Sequence, residues 1–221
     1  MVKFDVRPML TVNGNDVGAS LNVAFTHNDN TVNLRLSDAA SKDGINANNF
    51  SVGVTNDRFD VVYDVANHAP RLRIGSHVNV RDRRVDLVFR SDLKANSKSL
   101  EAGLDIDDNN RCGVIYDLTN YDGPNYKSAT VKWTYRNGDV EVTPSYNLGT
   151  ESLALTTAYV LDAENRCKAT YDVNSQAASL QWINSSGAGG GGDLRVTART
   201  NLSDAKQMPS MLIEKNWTIE T

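Results

Sequence analysis

The sequence predicts an all-β chain that closes into an antiparallel, up-and-down transmembrane β-barrel of about 12–16 strands. Three observations predict this fold. Apolar and polar residues alternate along nearly the whole chain, turn-forming residues separate the alternating runs, and no window of about twelve residues shows a helical stripe. A flat sheet of so many strands would leave two long open edges, so the sheet must split or close. We expect residues 1–221 to form a single domain.

The alternating runs define the predicted strands in chain order. Their apolar spans are Val2–Val12, Leu21–Phe25, Val32–Leu36, Phe50–Val54, Phe59–Val65, Leu72–Val80, Val85–Phe89, Leu100–Ile106, Cys112–Leu118, Val131–Tyr135, Val140–Tyr146, Leu153–Leu161, Cys167–Val173, Ala178–Trp182, Leu194–Ala198 and Met211–Ile219. Turn residues fall between them, at Asn13–Asp16, His27–Asn30, Asp107–Asn110, Asn137-Gly138 and Asp162–Asn165. Because most connections are short, sequential strands should pair antiparallel.

An internal repeat supports the strand count. A short motif, Arg followed by Phe or Cys and then by Tyr-Asp-Val or Tyr-Asp-Leu, recurs at spacings of 53 and 55 residues. Its copies are Arg58-Phe59 with Tyr63-Asp64-Val65, Arg111-Cys112 with Tyr116-Asp117-Leu118, and Arg166-Cys167 with Tyr171-Asp172-Val173. Each interval holds four runs, so four units of four strands fit the length of the chain.

Composition excludes several classes of protein. The formal net charge is -4, the pI is about 5.4 and charged residues make up 23%. This balance is too mixed for a disordered acidic chain and too acidic for a protein steered to nucleic acid by bulk charge. No apolar run is long enough for a transmembrane helix, and we expect no secretory signal. Cys112, Cys167 and the three histidines, His27, His68 and His77, lack metal-ligand spacing, so we expect neither a metal nor a cofactor.

Alternation alone leaves two folds open: a soluble β-sandwich that binds a carbohydrate or another ligand, and a membrane barrel. Many runs have eight to eleven residues, and a strand that crosses a bilayer needs about 9–11. Of sixteen aromatic residues, fourteen fall in the apolar phase, many near the ends of runs, which is typical of interfacial girdles. These features favour the barrel.

The polar phase carries many charges at mid-strand, and we predict that these side chains line an aqueous lumen. The basic residues are Lys3, Arg7, Arg35, Arg71, Arg73, Arg90, Lys132, Arg136, Lys168, Arg195 and Arg199. The acidic residues are Asp5, Asp60, Asp64, Asp86, Glu101, Asp105, Asp117, Glu141, Asp172 and Glu214. Near-equal numbers of both signs predict weak ion selectivity. Lys215 lies in the apolar phase and departs from the pattern. We find no nucleophile, metal or phosphate-cradle motif, so we expect no catalytic residue and no enzyme.

Several stretches carry a likeness to a known family: Leu180 to Ser185, Val62 to Val65, Leu72-Arg73 and Ala169 to Tyr171, together with Pro209, Leu212, Glu214, Trp217, Ile219 and Glu220. In these residues the chain resembles the chloroplast outer-envelope solute pore family of the ~24-kilodalton class. It implies a wide, slightly cation-preferring channel in the plastid outer membrane. Such channels pass phosphorylated sugars, sugars, organic acids, ATP and charged amino acids by passive diffusion. Partners would be the lipid bilayer and small hydrophilic solutes, not nucleic acid, and homo-oligomers are left open. The glycine-rich loop Gly187–Gly192 departs from the family pattern.

Overall fold

The structure, a computed structural model, describes residues 2–13, 16–37, 50–65, 67–81, 83–119, 123–185, 193–204, 209–215 and 217–220. Apart from a single 3-10 turn at Tyr126–Ser128, the regular elements there are all strands. They are β1 Val2–Asn13, β2 Asp16–His27, β3 Asn30–Ser37, β4 Phe50–Thr55, β5 Phe59–Asp64, β6 Ala69–Val80, β7 Arg83–Asp92, β8 Ser97–Asp105, β9 Asn110–Asp117, β10 Ala129–Asn137, β11 Val140–Asn147, β12 Ser152–Val160, β13 Asn165–Asp172, β14 Ala177–Asn184, β15 Leu194–Asn201, β16 Ser210–Lys215 and β17 Trp217–Glu220. No helix in the described parts is long and apolar enough to cross a membrane.

The strands close into one antiparallel ring. Each strand from β1 to β15 pairs with the next along the chain, and β16 and β17 both pair with β1. The register is unbroken across these last two strands, because Met9 pairs with Glu214 and Val6 with Trp217. β16 and β17 therefore occupy the same position in the ring, and counted together they give a barrel of 16 strands. This confirms the predicted fold and excludes the sandwich.

The registers also set the width of the barrel. Following the paired residues once around the ring shifts the register by about 16 residues, which is the shear of the barrel. With about 4.8 Å between strands and about 3.3 Å per residue, this shear implies a tilt of about 35° and a backbone radius of about 15 Å. Side chains from opposite walls cannot fill a ring about 30 Å across.

The apolar rows lie on the outside of the ring. Val32, Val131 and Leu180 are 45%, 43% and 56% exposed, although each lies in the middle of its strand. Among the described residues, no large side chain is fully buried, and the buried apolar residues are only Ala24, Ala69 and Ala129. A protein folded around a compact core would bury its large aliphatic side chains, so the apolar face of this barrel is built for contact with lipid.

Turn chemistry fixes the ends of the strands as predicted. Asn28 and Gly138 adopt left-handed backbone, with φ of 51° and 56°, in the turns after β2 and β10. The predicted loop Gly187–Gly192 and the centre of the predicted turn Asn13–Asp16 lie outside the described residues. Val2 and Glu220 lie at the same edge of the barrel, hereafter the terminal edge, because Lys3, which follows Val2, pairs with Glu220.

The repeat noticed in the sequence marks how strands finish at the opposite edge. β5, β9, β11 and β13 each end in a tyrosine on the apolar face followed by an Asp or Asn. The second residue of each pair accepts a hydrogen bond from a backbone N–H of the following turn, as Asp172 does from Ser175 at 2.7 Å and Asn147 from Gly149 at 2.9 Å. The spacings of 53 and 55 residues follow, because β5, β9 and β13 are four strands apart.

Candidate pore

Two polar cavities line opposite walls of the barrel interior. The first, with a volume of about 310 Å³, lies against β1–β6 and β16. Along β4, Ser51, Gly53 and Thr55 line it, whereas Val52 between them is exposed on the outer face. The alternation of the sequence thus becomes an inner polar face and an outer apolar face. Five predicted lining residues meet here: Arg7, Arg35, Asp60, Arg71 and Glu214.

The second cavity, of about 320 Å³, lies against β8–β13. It brings together four more predicted residues, Glu101, Lys132, Glu141 and Lys168. Three threonines, Thr134, Thr143 and Thr156, complete its polar wall. Hydroxyl and charged groups therefore cover both walls of the interior, which suits a water-filled passage.

Ion pairs connect most of the remaining predicted residues to these walls. Glu101 accepts from Arg90 at 2.6 Å and also pairs with Lys132. Asp5 lies 3.7 Å from Arg7, and Glu214 3.4 Å from Arg195. Asp86 and Asp105 both pair with Arg111, and Arg136 pairs with Glu141. Asp64 lies 3.4 Å from Lys94.

Arg111 lies on the inner face beside the β8–β13 cavity, although it is absent from the predicted lining residues. Its guanidinium donates to Asp86 at 2.8 Å and to Asp105 at 2.9 Å, and so joins β9 to β7 across β8. Gly103 on β8 makes room for this crossing, because a Cβ there would lie 2.5 Å from Arg111 Nη2. The alternation could have found Arg111, since it lies in the polar phase directly before Cys112.

Other predicted residues occupy different places. Asp64, Asp117 and Asp172 stand at the ends of their strands and accept hydrogen bonds from the turns. Arg199 borders a third depression of about 360 Å³, lined mainly by apolar side chains of β12–β15 such as Leu155 and Leu180.

Three further charged residues, Arg73, Lys3 and Lys215, have different positions. Arg73 stands in register between Asp60 and Arg90 on the inner face. The side chain of Lys3 lies outside the described residues. Lys215, the charge in the apolar phase, ends β16 opposite Leu194 and is partly buried.

The carboxylates and the arginines of the interior differ in how they are bonded. Each predicted carboxylate has a hydrogen-bond or ion-pair partner, including Asp60, which accepts from Thr55 at 2.7 Å. By contrast, Arg71, Arg73 and Lys168 form no ion pair with any described residue. By the ion-pair criterion Asp60 is isolated too, so the isolated charges of the described β1–β6 wall include Arg35, Arg71, Arg73 and Asp60 and are mainly basic.

The turns at the terminal edge are stabilised by two aspartates. Hydrogen bonds from the Asn110 side chain and from nearby backbone N–H groups lower the pKa of Asp107. Donation from the backbone N–H of Glu164, then from Asn165, lowers the pKa of Asp162. Both hold their turns best when ionised, because a carboxylate is the stronger acceptor.

A closed ring of antiparallel strands, with an apolar outer face and charged cavities inside, defines a porin-like membrane β-barrel. A family model described as "Outer envelope pore protein 24" matches residues 5–220, and the chain belongs to this family. It is therefore a multi-pass protein of the plastid outer membrane.

Comparison with solved structures shows the same fold. One structure, described as "Asymmetric conductivity of engineered proteins", shares 11% identity over 99% of both chains, with a TM-score of 0.55. A multiply substituted Rh. blastica porin shares 11% identity over 99% of both chains, with a TM-score of 0.52. No curated protein sequence matches the chain.

Proposed function

We propose that this barrel is a wide, weakly selective solute channel with a slight preference for cations. It would pass phosphorylated sugars, sugars, organic acids, ATP and charged amino acids by passive diffusion, without catalysing a reaction. The family and the porin-like fold support a channel in the outer envelope. The proposal takes residues 1–221 as one transmembrane domain.

One observation carries the proposal: the interior of a closed 16-strand ring is lined by charges of both signs. A ring about 30 Å across leaves room for hydrated solutes. Mixed charges give no single-sign ring that would exclude one kind of ion. The formal net charge of -4 favours cations at the mouths, while the unpaired arginines of the β1–β6 wall oppose this preference.

Electrical recording tests the proposal directly. The purified full chain, reconstituted in a planar bilayer, should give large unitary currents. In a tenfold KCl gradient it should give a small reversal potential whose sign indicates a preference for K⁺ over Cl⁻. A large reversal potential would contradict weak selectivity, and the absence of currents in every lipid would contradict the channel itself.

Flux measurements test the range of solutes. Liposomes that contain the protein should swell in isosmotic solutions of small sugars, sugar phosphates and dicarboxylates, and the rate should fall gradually as the solute grows. Protein-free liposomes are the control. Swelling with one solute only would indicate a specific site and would contradict broad permeation.

A further inference from the structure

Two arginines border the polar cavity of the β1–β6 wall. Arg35 lies on β3 and Arg71 on β6, and both line the cavity and are exposed. Among the described residues neither forms an ion pair, and Arg35 makes a single long hydrogen bond, of 3.5 Å, to Ser20 Oγ. Most N–H donors of the two guanidinium groups therefore face the interior of the pore without a protein acceptor.

The carboxylates closest to Arg71 in the register are bonded to other donors. Asp92 stands opposite Arg71 but accepts from the backbone N–H of Ala95 at 3.0 Å, in the turn after β7. Asp60, which also lines the cavity, accepts from the Thr55 hydroxyl at 2.7 Å. In the described part of the chain neither carboxylate forms an ion pair with an arginine of this wall, so the wall can still pair with an anion from solution.

Positive charge exceeds negative charge among the described side chains of this wall. Three arginines and two carboxylates line the cavity: Arg7, Arg35, Arg71, Asp60 and Glu214. The partners of Arg7 and Glu214, which are Asp5 and Arg195, add one charge of each sign. Arg73 stands beside Asp60 in the register and raises the excess, which remains when Asp92 is counted as well. The cavity therefore attracts an anion and repels a cation.

Small polar groups and an apolar base lie between the two arginines. Asn33, Ser51 and Thr55 line the cavity with amide and hydroxyl groups. Gly53 and Val62, which pair in the register, add bare backbone and an aliphatic side chain. Hydroxyl groups of a solute would hydrogen-bond to the first set, and its carbon chain would pack on the second. The wall therefore suits a hydroxylated carbon chain better than a bare inorganic ion.

The separation of the two arginines indicates the length of that solute. β3 and β6 are three strand spacings apart, about 14 Å. The register that starts at Arg35 reaches β6 at Ala69, two residues before Arg71, which adds about 7 Å along the strand. A small anion therefore contacts one arginine at a time, whereas a solute with an anionic group at each end reaches both. The cavity, of about 310 Å³, is in the size range of small-molecule sites.

We propose that the β1–β6 cavity is a docking site for sugar bisphosphates, in which Arg35 and Arg71 each bind one phosphate. This inference rests on the proposed channel function and assigns one class of solute to one wall of the pore. A guanidinium group matches a phosphate with two parallel hydrogen bonds, and the amide and hydroxyl groups between the arginines receive the sugar. Because both arginines are exposed, water screens these contacts and the solute is released again, as permeation requires.

Block of the open channel tests the proposal. The purified full chain would be recorded in a planar bilayer in dilute KCl while fructose 1,6-bisphosphate is added to one side. We expect the open-channel current to fall with concentration, fructose 6-phosphate to need about ten times more for the same block, and fructose to have no effect at these concentrations. Arg35→Gln/Arg71→Gln should raise the half-blocking concentration of the bisphosphate about tenfold.

A matched control separates the docking site from the general field of the pore. Arg71→Gln and Lys168→Gln each remove one isolated positive charge, but Lys168 lines the cavity of the opposite wall. Arg71→Gln should raise the half-blocking concentration severalfold, and Lys168→Gln should leave it nearly unchanged. Arg71→Lys keeps the charge without the planar fork, so its half-blocking concentration should lie between those of the wild type and Arg71→Gln.

Three results would overturn the proposal: equal block by the bisphosphate and the monophosphate, an unchanged block in Arg35→Gln/Arg71→Gln, or an equal shift in Arg71→Gln and Lys168→Gln, which would indicate bulk charge. Circular dichroism verifies that each variant is folded, and the single variants decide the question if the double variant does not insert. Absence of current in the wild type contradicts the channel proposal, whereas a wild-type current that the bisphosphate does not block contradicts only the docking site.

Discussion

Replacing Gly103 by alanine should release the Arg111 side chain from the two carboxylates that hold it. The new Cβ would lie 2.5 Å from Nη2 and 3.1 Å from Cζ and Nε of Arg111. Ordinary van der Waals contacts begin at 3.4 Å, so the guanidinium group must move away by about 1 Å. The hydrogen bonds of 2.8 Å to Asp86 and 2.9 Å to Asp105 would then stretch beyond hydrogen-bonding range.

The energetic effect follows from the exposure of the partners. The side chains of Arg111 and Asp86 are 29% and 28% exposed, so solvent screens the pair, and we expect its loss to cost about 1 kcal/mol. Alanine itself gains about 0.5–1 kcal/mol over glycine inside a strand. The two terms offset each other, and Gly103→Ala alone should change the free energy of unfolding very little.

A double-mutant cycle separates the two terms. In an Arg111→Gln background the collision is largely removed, so Gly103→Ala should stabilise the barrel there and the coupling energy should be about 1 kcal/mol. Urea unfolding of the reconstituted protein, followed by tryptophan fluorescence, gives the four free energies. Gly75→Ala is the matched control, since its Cβ would meet only backbone oxygens at 3.5 Å and beyond. A coupling energy near zero for Gly103 would refute the crossing geometry.

Three further predictions concern the pore charge, a turn and pH. Neutralising Arg71, Arg73 and Arg90 together with glutamine should raise the cation preference, because positive potential leaves the interior; an unchanged reversal potential in a salt gradient would show that these side chains do not border the conduction path. Gly149→Ala should lower the free energy of unfolding by about 1–3 kcal/mol, because its Cβ would collide with the Lys127 carbonyl, while Gly18→Ala, with nothing within 4 Å, should not; equal urea midpoints would contradict this. The lowered pKa values of Asp107 and Asp162 mean that their stabilisation is present above the ordinary carboxyl pKa of about 3.9 and is lost as pH falls through the lowered values. Asp107→Asn/Asp162→Asn should therefore weaken the dependence of the urea midpoint on acid, and an identical pH profile would argue against these caps.

The order and faces of the strands were predictable because a period of two is a local property. Val52 and Ser51 occupy opposite faces in any strand that contains them. The choice between sandwich and barrel required a second argument, namely that a flat sheet of so many strands would leave two long open edges. The unbroken register of β16 and β17 with β1 shows that the sheet closes. The extension of β6 beyond β5 was not predictable, because Ile74, Val78 and Val80 alternate in the same way whether or not β5 accompanies them.

The ion-pair partners of the charged side chains could not be predicted from the alternation within single strands. Alternation assigns a side chain to a face, but its partner depends on the register between strands, which is a property of the closed ring. Arg111 reaches Asp86 across an intervening strand, a contact 25 residues distant in sequence. Asp64 and Asp172 illustrate a second limit, since their phase indicated the inner face while their position at a turn gave them a backbone donor.

The arrangement of charge within the pore refines the expectation of weak selectivity, which was drawn from the near-equal numbers of acidic and basic residues. The group around Glu101 joins two cations to one carboxylate, and the group around Arg111 joins one cation to two carboxylates. Their opposite net charges lie close together and largely offset each other at the axis. Arg71 and Arg73 keep the longer-range field of single charges, screened over about 8–10 Å by salt. The β1–β6 wall carries two such arginines, whereas the β8–β13 wall carries one isolated lysine, Lys168. We therefore expect anions to pass closer to the β1–β6 wall, although the channel as a whole slightly favours cations. Lowering the salt concentration should enlarge the effect of Arg71→Gln on selectivity more than that of Arg90→Gln, because Arg90 is held against Glu101 at 2.6 Å.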